Sequence, residues 1–157
     1  MKALTAIGMR KTVNIVLPLA ALGVMAFYGT CSSTCSSLTG DIFGLDMKYL
    51  GLIIPIPLVI LAIFSQDLLL LMALSFGTGA ELKLISFQVF LGQYCPYCLT
   101  FGAIIIFLFL FNLRRSRKLP MAAFLLLGFL LFQLFFHGSA VPTYAMAPVF
   151  RGIGVLV

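Results

Sequence analysis

Charge is what this chain has least of. Only 9% of its 157 residues are charged, four acidic against ten basic, while 62% are hydrophobic. Soluble domains run nearer half apolar and a quarter charged, and the mean hydropathy here is +1.19. The composition therefore excludes a soluble protein and indicates an integral membrane one. It also leaves no room for a second domain, because a helical crossing takes about 20 mostly apolar residues, so this length allows four or five crossings in a single bundle. No internal repeat and no low-complexity segment is present, which argues against a repeat architecture.

Acidic residues are scarce enough that the formal charge is +6. In a soluble protein that surplus would raise the question of a nucleic-acid partner. Here seven of the ten cations fall in two clusters, Lys2, Arg10 and Lys11, then Arg114, Arg115, Arg117 and Lys118, each beside an apolar run. Clusters of this kind mark cytoplasmic ends of membrane helices and suit anionic lipid headgroups, so membrane lipid is the expected contact and no nucleic acid is. The N-terminus has the basic and apolar stretches of a signal peptide, but Tyr28 and Thr30 before Cys31 fit neither a small-x-small cleavage site nor a Leu-rich lipobox. A retained first span is expected.

Apolar segments bounded by polar or turn residues predict five spans, at about 13–28, 47–64, 68–91, 95–113 and 121–136. The expected fold is an all-α integral membrane protein, one domain over 1–157, with a four-helix transmembrane bundle plus a fifth span. With the N-terminus cytoplasmic, alternate crossing puts 30–46, 92–94 and the tail outside, and both basic clusters inside. The third span is interrupted by Gly77-Thr78-Gly79, Glu81 and Lys83. A rival reading makes 77–83 a cytoplasmic loop, but it sends the 114–118 cations outside and threads Ser65, Gln66 and Asp67 through the membrane, whereas these three suit a turn and helix cap. Intramembrane ionisable residues are functional candidates by default, and Glu81 and Lys83, two apart, point to different sides. The bland alternative pairs them with polar neighbours or water. Pro55 and Pro57 predict a kink in the second span.

The four cysteines form two pairs, Cys31/Cys35 in CSSTC and Cys95/Cys98 in CPYC, both at the outer ends of predicted spans. In CPYC, Pro96 suits the first turn of a helix and Cys95 its cap. Cys98 shares a face with Cys95 and lies where free N–H groups and the helix dipole stabilise a thiolate, which makes it the expected reactive sulfur. The CxxC spacing opens and closes a disulfide with little backbone motion. CSSTC lies in a Ser-, Thr- and Gly-rich external loop, suited to meeting an outside thiol and exchanging with CPYC by thiolate attack, on the side of the membrane where disulfides persist. The placement suggests an enzyme moving electrons between thiols and a lipid-soluble carrier. CPYC also occurs in glutaredoxins, but here it opens a run of hydrocarbon, LTFGAIIIFLFLF. Two other readings stand beside the redox one: four thiolates holding zinc, with no recognised zinc spacing, and an inert set of structural disulfides.

Taken together, these features resemble the vitamin K epoxide reductase family of membrane thiol oxidoreductases. The resemblance rests on the loop cysteine pair after the first span, then LTGDIFGLDMKYLGL, then FQVFLGQYCPYCLTFG with CxxC opening the fourth helix, and covers roughly residues 13–136. It implies a four-helix bundle around a quinone pocket, with Cys98 facing the quinone, Cys95 exchanging with Cys35, and Cys31 meeting a thioredoxin-like extracytoplasmic or periplasmic partner. Cys31, Cys35, Cys95 and Cys98 would be the catalytic set and a quinone the electron acceptor. The loop pair is more closely spaced here, as CxxxC, and no thioredoxin-like domain follows the last span, so a separate partner is expected. Phe43, Phe87, Phe90, Tyr94, Tyr97 and Phe101, near the outer ends of the spans, are candidates to wall the quinone ring. Gln88 and Gln93 are candidate hydrogen-bond donors to it, and His137 a candidate proton carrier or interfacial anchor. Two rival functions remain: a Dsb-type quinone-linked oxidase, which carries its CxxC first and its wider pair second, the reverse of this order, and a non-catalytic thiolate metal-binding membrane protein.

Overall fold

The computed structural model describes residues 2–30, 38–42, 44–113 and 118–140. Cys31, Cys35 and Phe43, with Arg114, Arg115 and Arg117, lie outside the described residues. The chain is mostly helical. α1 is Lys2–Thr30, β1 Leu38–Ile42, β2 Leu45–Asp46, α2 Met47–Ile53, α3 Pro55–Ile63, α4 Asp67–Leu91, α5 Pro96–Asn112, α6 Lys118–Phe135 and β3 Phe136–Ala140. Three of the helical stretches, Met9–Thr30, Asp67–Leu91 and Lys118–Phe135, are long and apolar enough to cross a membrane, and Met47–Ile63 and Pro96–Asn112 are shorter apolar helices. Large apolar side chains cover their outward faces, among them Phe27, Ile60, Val89, Phe107 and Leu130. A water-facing surface does not carry apolar area on this scale.

Local chemistry explains the boundaries. Pro55 has no N–H to give the preceding turn, and the helix divides at Ile54, with Pro55 opening α3. The Asp46 carboxylate caps α2 by accepting from the Lys48 N–H at 3.1 Å. Gly92, at φ +64°, closes α4 in the left-handed conformation that favours glycine. Ser65, Gln66 and Asp67 form the expected turn into α4, but the cap residue Gln66 gives no side-chain hydrogen bond.

α1 packs on α3 and α5, α3 on α4, and α4 on α5, closing a ring, while α6 lies along α4 outside it. Ala21, Met25, Leu58, Leu70, Leu74, Ile105 and Leu108 form the core inside the ring. α4 runs unbroken through 77–83, which rules out the loop of the rival reading. The glycines that looked like an interruption are a helix crossing. A side chain at Gly79 would strike the Leu125 carbonyl of α6, and one at Gly128 would strike the Phe76 carbonyl of α4. Small residues let two backbones approach this closely.

At the Arg10 end, polar side chains bind each other. Asn14 and Asn112, both buried, exchange amide hydrogen bonds of 3.0 and 2.7 Å. Arg10 donates twice to Asn112 Oδ1, at 3.2 and 2.9 Å, and lies 3.9 Å from the Asp67 carboxylate. α1, α4 and α5 are joined there.

The all-α expectation needs one correction. Three short antiparallel strands form a sheet in the order β2-β1-β3, with Gly40 opposite Gly138 and Ile42 opposite Phe136. Its pairing joins segments nearly a hundred positions apart, so nothing local in either one announces it. Gly40 and Gly138 leave space that the Phe136 ring occupies, and that ring meets Phe87 of α4 edge-on at 5.1 Å.

Candidate functional site

The turn at 92–95 sets up CPYC. Pro96 is the first residue of α5 and Cys95 its cap, as the sequence predicts. The cap sulfur accepts the Cys98 N–H at 3.4 Å, so the orphan donor of the first turn serves Cys95 and not Cys98. That differs from the expectation for Cys98 and follows from the cap position, which is where an acceptor meets first-turn N–H groups. Both sulfurs are free, not bonded to one another.

Cys95 is shielded, with only 2% of its surface exposed. Its N–H donates to Gln88 Oε1 at 2.8 Å, which ties the cap to the last turns of α4. Cys98 faces inward, onto a cavity of about 470 Å³. That volume is in the range of small-molecule sites, roughly 300–1,000 Å³.

The cavity takes its walls from every helix. Cys98, Phe101 and Ile105 recur at helical spacing on α5, and Ala80, Glu81, Leu84 and Gln88 do so on α4. Met25 and Tyr28 come from α1, Met47 and Gly51 from α2, Leu58 from α3, Phe124 and Phe132 from α6, and Gly40 and Phe136 from the sheet. The lining is almost wholly apolar. It also carries Gln88, Asp46 and Lys48; of its charged residues Glu81 alone is buried, 6% exposed, and it has no hydrogen-bond partner among the described residues.

Of the aromatic residues nominated from sequence, the structure brings Phe87 and Phe101 to the cavity. It does not bring Phe90, Tyr94 or Tyr97. Phe90 is two positions beyond Gln88 and so on the opposite side of α4, 88% exposed. Tyr94 sits on the exposed turn before CPYC. Tyr97 turns to α1, packing on Tyr28 at 5.5 Å and Phe27 at 6.0 Å between ring centroids. Gln88 lines the cavity as expected and Gln93 does not. His137 lies on β3, opposite Asp41. Lys83 points away from Glu81, as their spacing requires.

Sequence reading missed Tyr28, Met47, Phe132 and Phe136, which reach the cavity through contacts between distant segments. One signal was available: Glu81 and Gln88, seven positions apart, must share a face. Among the described residues no three His, Cys, Asp or Glu side chains gather as metal ligands.

Compared with protein-family models, curated proteins and solved structures, the chain matches none.

Proposed function

We propose that the chain is a membrane thiol:quinone oxidoreductase that makes disulfides for exported proteins, of the kind the vitamin K epoxide reductase family represents. Electrons pass from a thioredoxin-like partner to Cys31/Cys35, then to Cys95/Cys98, then to a quinone. The observation that carries this reading is the position of Cys98: one sulfur of a free CxxC opens on a largely apolar cavity large enough for a quinone head. The cavity's chemistry fits such a substrate, with ring-sized apolar walls and few polar groups, Glu81 and Gln88 on α4 beside Tyr28, Asp46 and Lys48.

Two further contacts support the relay. Phe27 and Tyr28, in the last turn of α1, pack on the tyrosine inside CPYC, and Cys31 follows that helix by one residue. Arg10 bonds Asn112 at the last residue of α5, the end of that helix opposite CPYC. On this reading the five helical stretches are five crossings, the ring being the four-helix bundle and α6 the fifth span. The N-terminus is cytoplasmic and both cysteine pairs face the extracytoplasmic side.

The test is reduction of ubiquinone-1 by dithiothreitol with the purified full chain, beside labelling of the thiols in intact cells with a membrane-impermeant maleimide. Turnover above the uncatalysed rate is expected, with labelling from outside. A rate equal to the background removes the enzyme reading, and labelling only from the cytoplasmic face reverses the orientation.

A further inference from the structure

We infer that Glu81 is a further catalytic residue of this cavity, whose carboxylic acid gives a proton to a carbonyl oxygen of the bound quinone as Cys95 and Cys98 are oxidised. The inference rests on the thiol:quinone reading above and names the group that completes its proton balance.

Geometry leads to this residue. Glu81 is buried and lines the cavity that Cys98 lines. It has no hydrogen-bond partner among the described residues, although a polar group buried in apolar surroundings is costly unless paired, and an unpaired charge far more so. Such a site holds the neutral acid. Its direction is fixed by α5: a Cβ built on Gly102 would lie 2.8 Å from Glu81 Oε2, so the carboxyl occupies the space left by the missing side chain. Gly102 is one turn along α5 from Cys98, about 6 Å of helix rise. The acid therefore sits one turn deeper than the sulfur, and a quinone head against Cys98 lies within its reach.

The chemistry needs such a donor. With its sulfur accepting from Cys98, Cys95 is the thiolate of the reduced pair and Cys98 the thiol. Joining the two sulfurs breaks one S–H bond and releases two electrons and one proton. Converting both carbonyls of a quinone to hydroxyls consumes two electrons and two protons. Cys98 supplies one proton and Glu81 the other, ending as a carboxylate. When the partner's dithiol next reduces the Cys95–Cys98 bond by way of Cys31/Cys35, it brings two electrons and two protons. Its own disulfide forms, Cys98 keeps one proton, and the second returns to Glu81.

The experiment uses the full chain with ubiquinone-1 and compares wild type with E81Q and G102A. E81Q keeps the shape and a hydrogen-bond donor but has no proton to give. Its kcat for quinone reduction is expected to fall by about 10²–10⁴-fold, the usual worth of a positioned proton donor, with ubiquinone-1 affinity within about threefold. Exchange of Cys95/Cys98 with oxidised glutathione, which needs no quinone, is expected to be unchanged and reports an intact fold. G102A displaces the carboxyl with its added methyl and is expected to lower kcat about tenfold, the smaller loss of a misplaced donor. Infrared difference spectra give a readout apart from turnover: the carboxylic C=O band of wild type shifts when ubiquinone-1 binds, and E81Q lacks that signal. E81Q at a wild-type rate, or no carboxyl shift on binding, overturns the role of Glu81 and leaves the quinone reading standing. A wild-type chain that reduces no quinone overturns both.

Discussion

The two ends of the helix bundle treat buried polar groups in opposite ways. At one end Arg10 and Asn14 of α1 bind Asn112 of α5, so each buried amide is answered. At the other, Cys98 and Glu81 face an apolar cavity, and Glu81 has no partner among the described residues. A satisfied cluster in a low-dielectric interior fixes helix positions. A group left unanswered is expensive, and the fold retains it where a ligand or a reaction uses it. The difference separates structure from chemistry without appeal to any relative.

The contrast is broken most directly at Cys98. Cys98→Ser is expected to remove quinone reduction altogether, a loss of at least about 10³-fold because the disulfide that releases the electrons can no longer form, read as ubiquinone-1 consumption under dithiothreitol, while the melting temperature is held. A variant that still turns over shows that the cavity-facing sulfur is not the one that reacts. At the opposite end the pattern inverts. Asn112→Leu leaves the Asn14 amide and the Arg10 guanidinium without their acceptor and is expected to cost about 1–3 kcal/mol of stability. Thermal unfolding in detergent measures it, and turnover below the transition is expected within about twofold of wild type. A collapse of turnover in a folded Asn112→Leu protein would join the two ends and erase the distinction.

Smaller effects sharpen the boundary of the reactive end. Gln88→Leu frees the Cys95 N–H and is expected to slow turnover about tenfold, the worth of roughly one hydrogen bond. Least affected is the outward face. Phe90→Ala is expected to change turnover by less than about twofold, as exposed substitutions do, and a large loss would return Phe90 to the cavity wall.

Sequence alone made legible what depends on neighbours along the chain. The five apolar stretches became helices, Pro55 divided the second one, and Pro96 and Cys95 opened α5 as first-turn and cap chemistry requires. What depends on partners far away was hidden. Gly79 read as part of a break because the backbone of α6 that it receives lies some fifty positions on. Of the five described aromatics chosen for standing near span ends, Phe87 and Phe101 reach the cavity, because height along a helix says nothing of azimuth, and azimuth decides which ring faces inward. Glu81 stood out from the start as an ionisable residue in an apolar run, but its role needs Gly102, and only packing joins them.

Because Phe132 and Phe136 complete the chamber before Cys98, and both come after it in the chain, the order of synthesis matters. Synthesis delivers the CPYC thiols before α6 and β3 exist, and those two elements add their part of the wall afterwards. The growing polypeptide thus passes through a stage with both thiols made and the cavity beside them incomplete.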